Sequence, residues 1–459
     1  MVNAVHRSRE RRAWGIGLAS TLASSAALGP TTTSCSRYDH PLGTLDLTAA
    51  TPASSGGAGA SDAGIADAAR ESAAPVALSC ETPPCAVALT TTLRATDSDR
   101  GEGYCARLDD GTVACWGTNL GGQLGRGDVG GAEGAVPVRV TGLDAVTSLD
   151  HTCAVDGAGA VWCWGAGPWL QADDAAVPPD EASVTMTGRP VPIPLPGPAE
   201  RVAVTTKTAC ALLRDERVVC WGANERLQVA MDEDASVSLS PREIALPSGV
   251  KDLVMGDAAF ALYHDGTVLS WGGNPSVGRP TPFHLDGWPA PIAIADVAMI
   301  DTVDAEACAV AGGIGWCWGA PVPPASGAPA DRYARALPTA APTGAITRIA
   351  TSRTWTVTES GSSFVEPRRW CATSEAGEVL CWGLNASGQA GDGTRQYAIE
   401  PVVVAGLPAR AVDVKLMPHS TCALLANGKV YCWGNNLHGQ LGAGLPKGSN
   451  DAPQQVKLP

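Results

Sequence analysis

Cysteine is the residue whose chemistry is most readable in this 459-residue chain. Of its 15 cysteines, most fall in pairs nine or ten positions apart. Cys105 stands with Cys115, Cys153 with Cys163, Cys210 with Cys220, Cys308 with Cys317, Cys371 with Cys381, and Cys422 with Cys432. Each pair brackets two short apolar runs and a turn, as in CALLANGKVYC from Cys422 to Cys432. That pattern is a tight antiparallel hairpin with the two cysteines opposed. Opposed strand residues have Cα atoms about 4.5–5.5 Å apart, within disulfide reach. Two internal comparisons favour bonded pairs over zinc ligation or free core thiols. The fourth copy has Phe260 and Ser270 in the two places, so both cysteines are missing together. The fifth copy has a spacing of nine, but its turn has shrunk to Gly312-Gly313, a favoured two-residue loop. Its cysteines therefore stay opposite. Zinc sites usually bring cysteines about two to four residues apart, and these pairs do not. Closing so short a loop contributes only ~2–3 kcal/mol on the chain-entropy model, so the expected value of the bonds is in fixing register. Cys80 and Cys85, separated by Glu-Thr-Pro-Pro, are expected to pair with each other, which leaves Cys35 alone.

Other chemistry is sparse. Histidines 6, 40, 151, 264, 284, 419 and 438 are scattered, and His151 and His419 stand just before hairpins of different copies, where a hydrogen-bonded structural role is expected. There is no nucleophile elbow, phosphate loop or His-Glu-x-x-His, so no catalytic residue and no cofactor is assigned. Asp232-Glu233-Asp234 and Asp392 lack the spaced loop of a calcium site and read as solvated charge, so no metal is assigned either. Asn385-Ala386-Ser387 is a glycosylation sequon by composition alone.

A formal net charge of −14 argues against a nucleic-acid surface, which needs a basic patch, and against docking on anionic headgroups. Membrane contact is expected only through an N-terminal lipid. Arg7, Arg9, Arg11 and Arg12 precede the apolar run Trp14–Leu28, which is of signal-peptide length and too short and polar for a membrane span. Residues 1–34 are therefore expected to be an export signal. Thr32-Thr33-Ser34-Cys35 places small residues before a cysteine, so Cys35 is a candidate lipidation site; a plain signal cleaved near Ala27 is the alternative. Residues 35–78 are rich in Ala, Ser, Thr and Gly and cannot bury enough surface to order themselves, so a tether is expected. The paired cysteines agree with an oxidising, exported location at the cell envelope or outside it.

The elements that carry the cysteines recur. Each of the seven hairpins ends in Trp-Gly, at Trp116, Trp164, Trp221, Trp271, Trp318, Trp382 and Trp433. These tryptophans are 47 to 64 residues apart, so one supersecondary unit repeats with connections of variable length. A short apolar run precedes each hairpin and a Pro-led run follows it, as in Val412–Leu416 and Pro401–Val404, making four strands per unit. The hairpin strands are apolar on both faces and so need cover on both sides, which a propeller blade packed between two neighbours has. The expected fold is all-β: a seven-bladed β-propeller of four-stranded blades over residues 79–459, with cross-strand disulfides in six blades.

The hairpin exits CWGNNLHGQLGAG (432–444), CWGTNLGGQLGRG (115–127) and CWGLNASGQAGDG (381–393) resemble the repeat of the regulator of chromosome condensation family. The resemblance covers about residues 86–459 and implies a seven-bladed propeller; the remaining repeats depart from the signature at their corners. Family members include a nuclear nucleotide exchange factor, a plant ultraviolet photoreceptor and a secreted bacterial β-lactamase inhibitor. The Gly-Trp-Arg-His-Thr motif of the photoreceptor is absent here, and no residue set carries over from the inhibitor.

In a four-stranded blade the first and third connections lie at one end. The long segments of this chain are Pro168–Pro192, Glu225–Pro241 and Pro321–Thr343 as third connections and Glu359–Arg369 as a first connection, so all project from the same end. Insertions gathered on one face often form a binding face. Trp169, Arg226, Arg332 and Arg368 are the candidate binding-loop residues; Trp169 would serve as an anchor if exposed. The expected function is a monomeric module that binds a protein or other macromolecule at the cell surface. The alternatives are an enzyme with its site in the central channel, or a secreted inhibitor of a partner enzyme.

Overall fold

The computed structural model describes residues 76–94, 101–170, 185–231, 237–319, 335–336, 344–352, 355–359, 362–366 and 369–459. The expected export signal, Cys35, nearly all of the expected tether, His6, His40, Asp232 to Asp234, Arg332 and Arg368 lie outside them.

Seven four-stranded antiparallel sheets follow one another along the chain, each a simple meander of consecutive strands. The first strands of blades 1 to 7 are Ala86–Thr91, Val146–Asp150, Ala199–Val204, Val250–Met255, Val297–Val303, Ile346–Thr351 and Ala411–Leu416. They surround a central channel, and residues from all seven line it. In blade 6 an extra hairpin, Trp355–Glu359 with Ser362–Glu366, forms its own two-stranded sheet within the first connection. The inserted region there begins before Glu359, because residues from Trp355 onward already belong to it. In blade 5 the fourth strand is only Arg335–Ala336, inside the stretch read from sequence as loop. The inserts of blades 2 and 3 likewise end earlier than their prolines suggest, since the fourth strands start at Thr185 and Val237.

Both faces of each blade are covered. In blade 7, Ala423 and Leu425 pack into the cluster shared with blade 6. Cys422 and Leu424 pack into the cluster shared with blade 1, beside Tyr104 and Trp116. Two apolar faces alternating along one strand need a neighbour on each side, which a closed ring of blades gives to every unit.

The six hairpin cysteine pairs are disulfides. Cys105 is bonded to Cys115, Cys153 to Cys163 and Cys210 to Cys220. Cys308 is bonded to Cys317, Cys371 to Cys381 and Cys422 to Cys432. In every pair the two residues stand directly opposite in the strand register, and the nine-residue spacing of Cys308 and Cys317 leaves that unchanged. One detail corrects the sequence-based geometry. The Cα atoms of Cys115, Cys163, Cys220, Cys317, Cys381 and Cys432 lie only 4.0–4.1 Å from those of their partners, closer than the general range for opposed residues. A bond across a non-hydrogen-bonded pair draws the two backbones together. Cys80 and Cys85 also pair, at an ordinary Cα separation of 5.7 Å. Blade 4 replaces the bond with Phe260 opposite Ser270. Phe260 is buried edge-on against Trp318 of blade 5, and the Ser270 hydroxyl donates to Val277 O at 2.6 Å. The same blade carries a buried Arg279–Asp286 ion pair at 2.7 Å, with Arg279 also donating to Ser270 O and Trp288 O.

No strand is exchanged between the first and last blades among the described residues. Instead the segment before blade 1 lies on the hairpin turn of blade 7: Ser79 N donates to Ala426 O, Ala86 N to Gly428 O, and Lys429 Nζ to Thr82 O. The chain therefore enters the propeller at the end holding the second connections. Its last strand, Ser449–Gln455, runs toward that same end, because Gln455 pairs with Tyr431 at the start of the third strand.

Candidate binding face and central channel

The glycine-rich exit of each hairpin has a definite task. In blades 1, 3, 6 and 7 a buried asparagine (Asn119, Asn224, Asn385, Asn436) accepts through Oδ1 from the backbone N–H five residues on, folding the connection back on itself. The fold presents a carbonyl to the next blade. Trp164 Nε1 donates to Gln123 O, Trp271 to Gln228 O, Trp318 to Ser276 O, Trp433 to Gln389 O and Trp116 to Gln440 O, at 2.7–3.1 Å. Two residues past four of these carbonyls, Gly125, Gly278, Gly391 and Gly442 have φ of 63–71°. A Cβ at any of these four would lie within 3.2 Å of the neighbouring indole. Glycine is needed there twice over, for its backbone conformation and for its lack of a side chain. Asn385 is thus a buried corner residue, which removes the sequon from consideration. Blade 3 keeps the corner although its sequence departs from the signature, with Leu227 adopting φ 55° where the others have glycine.

Blade 2 is different and corrects the reading of Trp169. That tryptophan is buried, not exposed: it sits in the short 3-10 turn Pro168–Leu170, 1% accessible, and its Nε1 donates to Thr205 O of blade 3. It fills the space that the glycine corner occupies elsewhere, and the indole N–H of Trp221, which would have met a corner carbonyl, has no partner among the described residues. The exposed large residues in the third connections of this end are Leu120, Val129, Phe283, Tyr397 and Leu437. Arg226 lines the channel mouth, where it is paired with Asp257 of blade 4 at 3.3 Å.

The channel opens at the end holding the first and third connections, as a cavity of about 570 Å³. Its rim is charged. Arg94, in the first connection of blade 1, reaches Asp304 of blade 5 at 3.6 Å, while its neighbour Leu93 is packed among the core residues of blades 2 and 3. Deeper, the first-strand residues opposite the hairpin cysteines of blades 1, 2, 5 and 7, which are Thr90, Asp150, Asp301 and Lys415, line the cavity. Three of these accept from the backbone N–H of the next blade: Thr90 from His151, Asp150 from Val204, and Asp301 from Thr351. In blade 7 the same position is Lys415, whose ammonium reaches past blade 6 to Asp301 at 3.5 Å. Burial alone would lower Lys415; the carboxylates of Asp413 and Asp301 outweigh it and hold the ammonium protonated. Burial raises Asp301, Asp252 and Asp257, each against the pull of a neighbouring cation.

A second polar cluster, absent from the sequence reading, closes the ring. Glu102 of blade 1 accepts from His419 N at 2.7 Å, from Ser420 Oγ at 2.5 Å, and lies 3.1 Å from His419 Nδ1. Ser420 Oγ is also 2.9 Å from Tyr104 OH. Arg369 of blade 6 is buried beneath them and donates to the carbonyls of Met417, Pro418, Ser420 and Gln389 and to Thr421 Oγ1. His419 is therefore a structural hydrogen-bonding residue, as expected. Among the described residues no group of His, Cys, Asp and Glu is spaced to hold a metal.

The family model of the regulator of chromosome condensation (RCC1) repeat matches residues 419–440, from His419 to Gln440, whose carbonyl receives the Trp116 indole. Blade 7 carries an RCC1 repeat. The ultraviolet-B receptor UVR8 of Arabidopsis thaliana is 25% identical over 366 residues, 75% of this chain and 78% of the receptor. Among solved structures, human WBSCR16 superposes with a TM-score of 0.62 at 19% identity, over 76% of this chain and 94% of that one. Prp20p of Saccharomyces cerevisiae gives 0.59 at 19% identity, over 76% and 87%. These two likenesses show the fold. The corner geometry gives the RCC1 repeat of this chain its physical content: a carbonyl and a glycine shaped to receive the tryptophan of the following blade.

Proposed function

We propose that this RCC1-repeat propeller is an exported binding module that holds a protein partner on the face formed by its first and third connections. The observation that carries the reading is the uneven distribution of chain. The second connections are short turns, and both ends of the propeller domain lie at their end. The added hairpin of blade 6, the long third connections of blades 2, 3 and 5, and the open mouth of the channel share the other end. The same end exposes Leu120, Phe283, Tyr397 and Leu437, and large apolar and aromatic side chains are the usual anchors of protein interfaces. The description of Prp20p names Gsp1p and histones as what that propeller binds, which supports a protein as the partner class here.

Export and envelope location rest on the basic and apolar N-terminus, Cys35 and the paired cysteines. The chain enters the propeller at the face opposite the inserts, which leaves the proposed binding face clear of that attachment. The test is a pulldown from the native envelope with the intact protein and with variants in which residues 355–366, 171–184 or 322–333 are replaced by short turns. At least one variant should lose the specific partner while keeping its melting temperature. Retention of the same partners by all three would sink the binding-face reading. An enzyme acting in the channel is the second reading, and it is favoured by one observation, the convergence of charged and hydroxyl side chains at the mouth.

A further inference from the structure

The channel holds polar capacity that the ring itself does not use. His151 lines the cavity with φ 49°, a conformation unusual for a side chain of its size. Its backbone N–H is held by Thr90, and its Nδ1 lies 3.0 Å from Thr91 O. Thr91 Oγ1, 3.1 Å from the same nitrogen, can give or take a proton, but the carbonyl only accepts; the tautomer that suits both contacts has the proton on Nδ1 and leaves Nε2 as an acceptor, with no partner among the described residues. One residue earlier, Asp150 uses Oδ2 on Val204 N, and its Oδ1 has no hydrogen bond among the described residues. Thr92 Oγ1, also on the cavity wall, is buried without a partner among them. Blade 2 and the adjoining part of blade 1 thus present a cluster of spare acceptors.

The complementary donor comes from blade 7. Lys415 has three N–H bonds to give and makes one long contact, to Asp301. It is close enough to Asp150 for the two charges to interact. The charges around this part of the channel nearly cancel: Asp150, Asp252, Asp301 and Asp413 against Arg201, Arg348 and Lys415. A simple amine would meet Lys415, and a simple carboxylate would meet Asp150 and Asp301. A neutral sugar would leave the charge separation unused. The group that matches spare acceptors on one wall and a spare ammonium on the other is a zwitterion.

We propose that the channel cavity is a binding site for a small zwitterion, a free amino acid or short peptide. Its ammonium donates to Asp150 Oδ1 and His151 Nε2, and its carboxylate accepts from Lys415. A volume of about 570 Å³ is ample for such a ligand. This site opens at the same end as the partner face but needs no insert and no second protein.

The test uses the full propeller with saturation-transfer NMR and calorimetry. The probes are the free L-amino acids and alanyl-alanine, alongside N-acetyl and C-amide forms that each lack one charge. At least one zwitterion should bind, with each charge-deleted counterpart about tenfold weaker or worse, as loss of a charge-assisted hydrogen bond requires. Asp150→Asn keeps an acceptor for Val204 N and so keeps the fold, and it should weaken binding to a similar degree. Lys415→Gln should do likewise. Failure of every zwitterion to bind at about 10 mM would overturn the site. So would equal affinity for the charge-deleted analogues, a measurement that needs no variant. Binding unchanged in both variants would place the ligand elsewhere and overturn it too.

Discussion

Arg369 is where a single side chain carries most structural consequence. Its guanidinium is buried between blades 6 and 7 and satisfies four carbonyls and a hydroxyl, with no carboxylate in direct contact among the described residues. Burial pulls its pKa down to about 10, still far above neutrality, so the charge persists. Arg369→Ala would strand those carbonyls in a dry interface, and a loss of about 3–5 kcal/mol is expected from urea unfolding midpoints. Arg369→Lys should recover little, because one ammonium cannot span the same fork. Glu102 is the pH-sensitive member of the neighbouring cluster. Burial raises its pKa, but the hydrogen bonds from His419 and Ser420 outweigh that and hold it below the ordinary value. A carboxylate lowered in the folded state contributes stability that is present above its unfolded value of about 4.3 and lost as pH falls through the folded one. Glu102→Gln should therefore lower stability at pH 7 and flatten the decline in unfolding midpoint below about pH 4. An unchanged acid limb in that variant would show that other carboxylates set it. Neither residue is legible in sequence. Glu102 lies in a polar connection and Arg369 directly follows an insert, and only the ring brings their blades together.

The corner and the hairpin are the legible elements, for a physical reason. Both are local: a turn, two opposed cysteines and a glycine at positive φ are written within about a dozen residues, so periodicity alone exposes them. What the corner does is not legible, since its partner is the tryptophan of the next unit. Gly391→Ala tests this. It would place a methyl 2.6 Å from Trp433 Nε1 at φ 71°. The backbone strain alone is about 1–2 kcal/mol, and displacement of the indole should add to it. The expected readout is a lowered thermal midpoint with a shifted Trp433 fluorescence signal; Gly406→Ala, at φ 81° but with open space around it, should cost only the strain. Blade 4 offers the converse experiment. Its Arg279–Asp286 pair binds the third connection to the last strand where no disulfide helps. Arg279→Met is expected to destabilise the oxidised protein by about 3–5 kcal/mol through the stranded carboxylate. Asp286→Asn should be milder. Trp169 shows the limit of reading an insert from composition. A large aromatic in a long connection suggests an exposed anchor, yet with the corner missing from blade 2 the core has a vacancy of indole size, and burial wins.

At the scale of the whole molecule, covalent and non-covalent order divide cleanly. Every disulfide of the described chain lies within one hairpin or the small Cys80–Cys85 loop, and none joins two blades. Thiol titration of the unreduced, denatured chain should find at most one thiol, that of Cys35; ten or more would contradict the pairing. The blade count and the ring can be read from seven repeats, but the channel site cannot. Its residues come from separate blades, and Asp150, Asp301 and Lys415 each stand in a short first strand of mixed apolar and polar residues with nothing to single them out. Convergence of that kind has no signature along the chain. The seam between blades 7 and 1 has a consequence of its own. It is held by the same corner-to-indole contact as the junctions that follow blades 1, 3, 4 and 6, plus the clasp of residues 79–86, and no described strand crosses it. The opening of the ring is thus a matter of where the gene starts. A chain whose old ends are joined by a linker and which is cut instead in the exposed link between blades 1 and 2, near Gly142, should close into the same ring. Such a permuted chain would display its tether on a different spoke of the wheel.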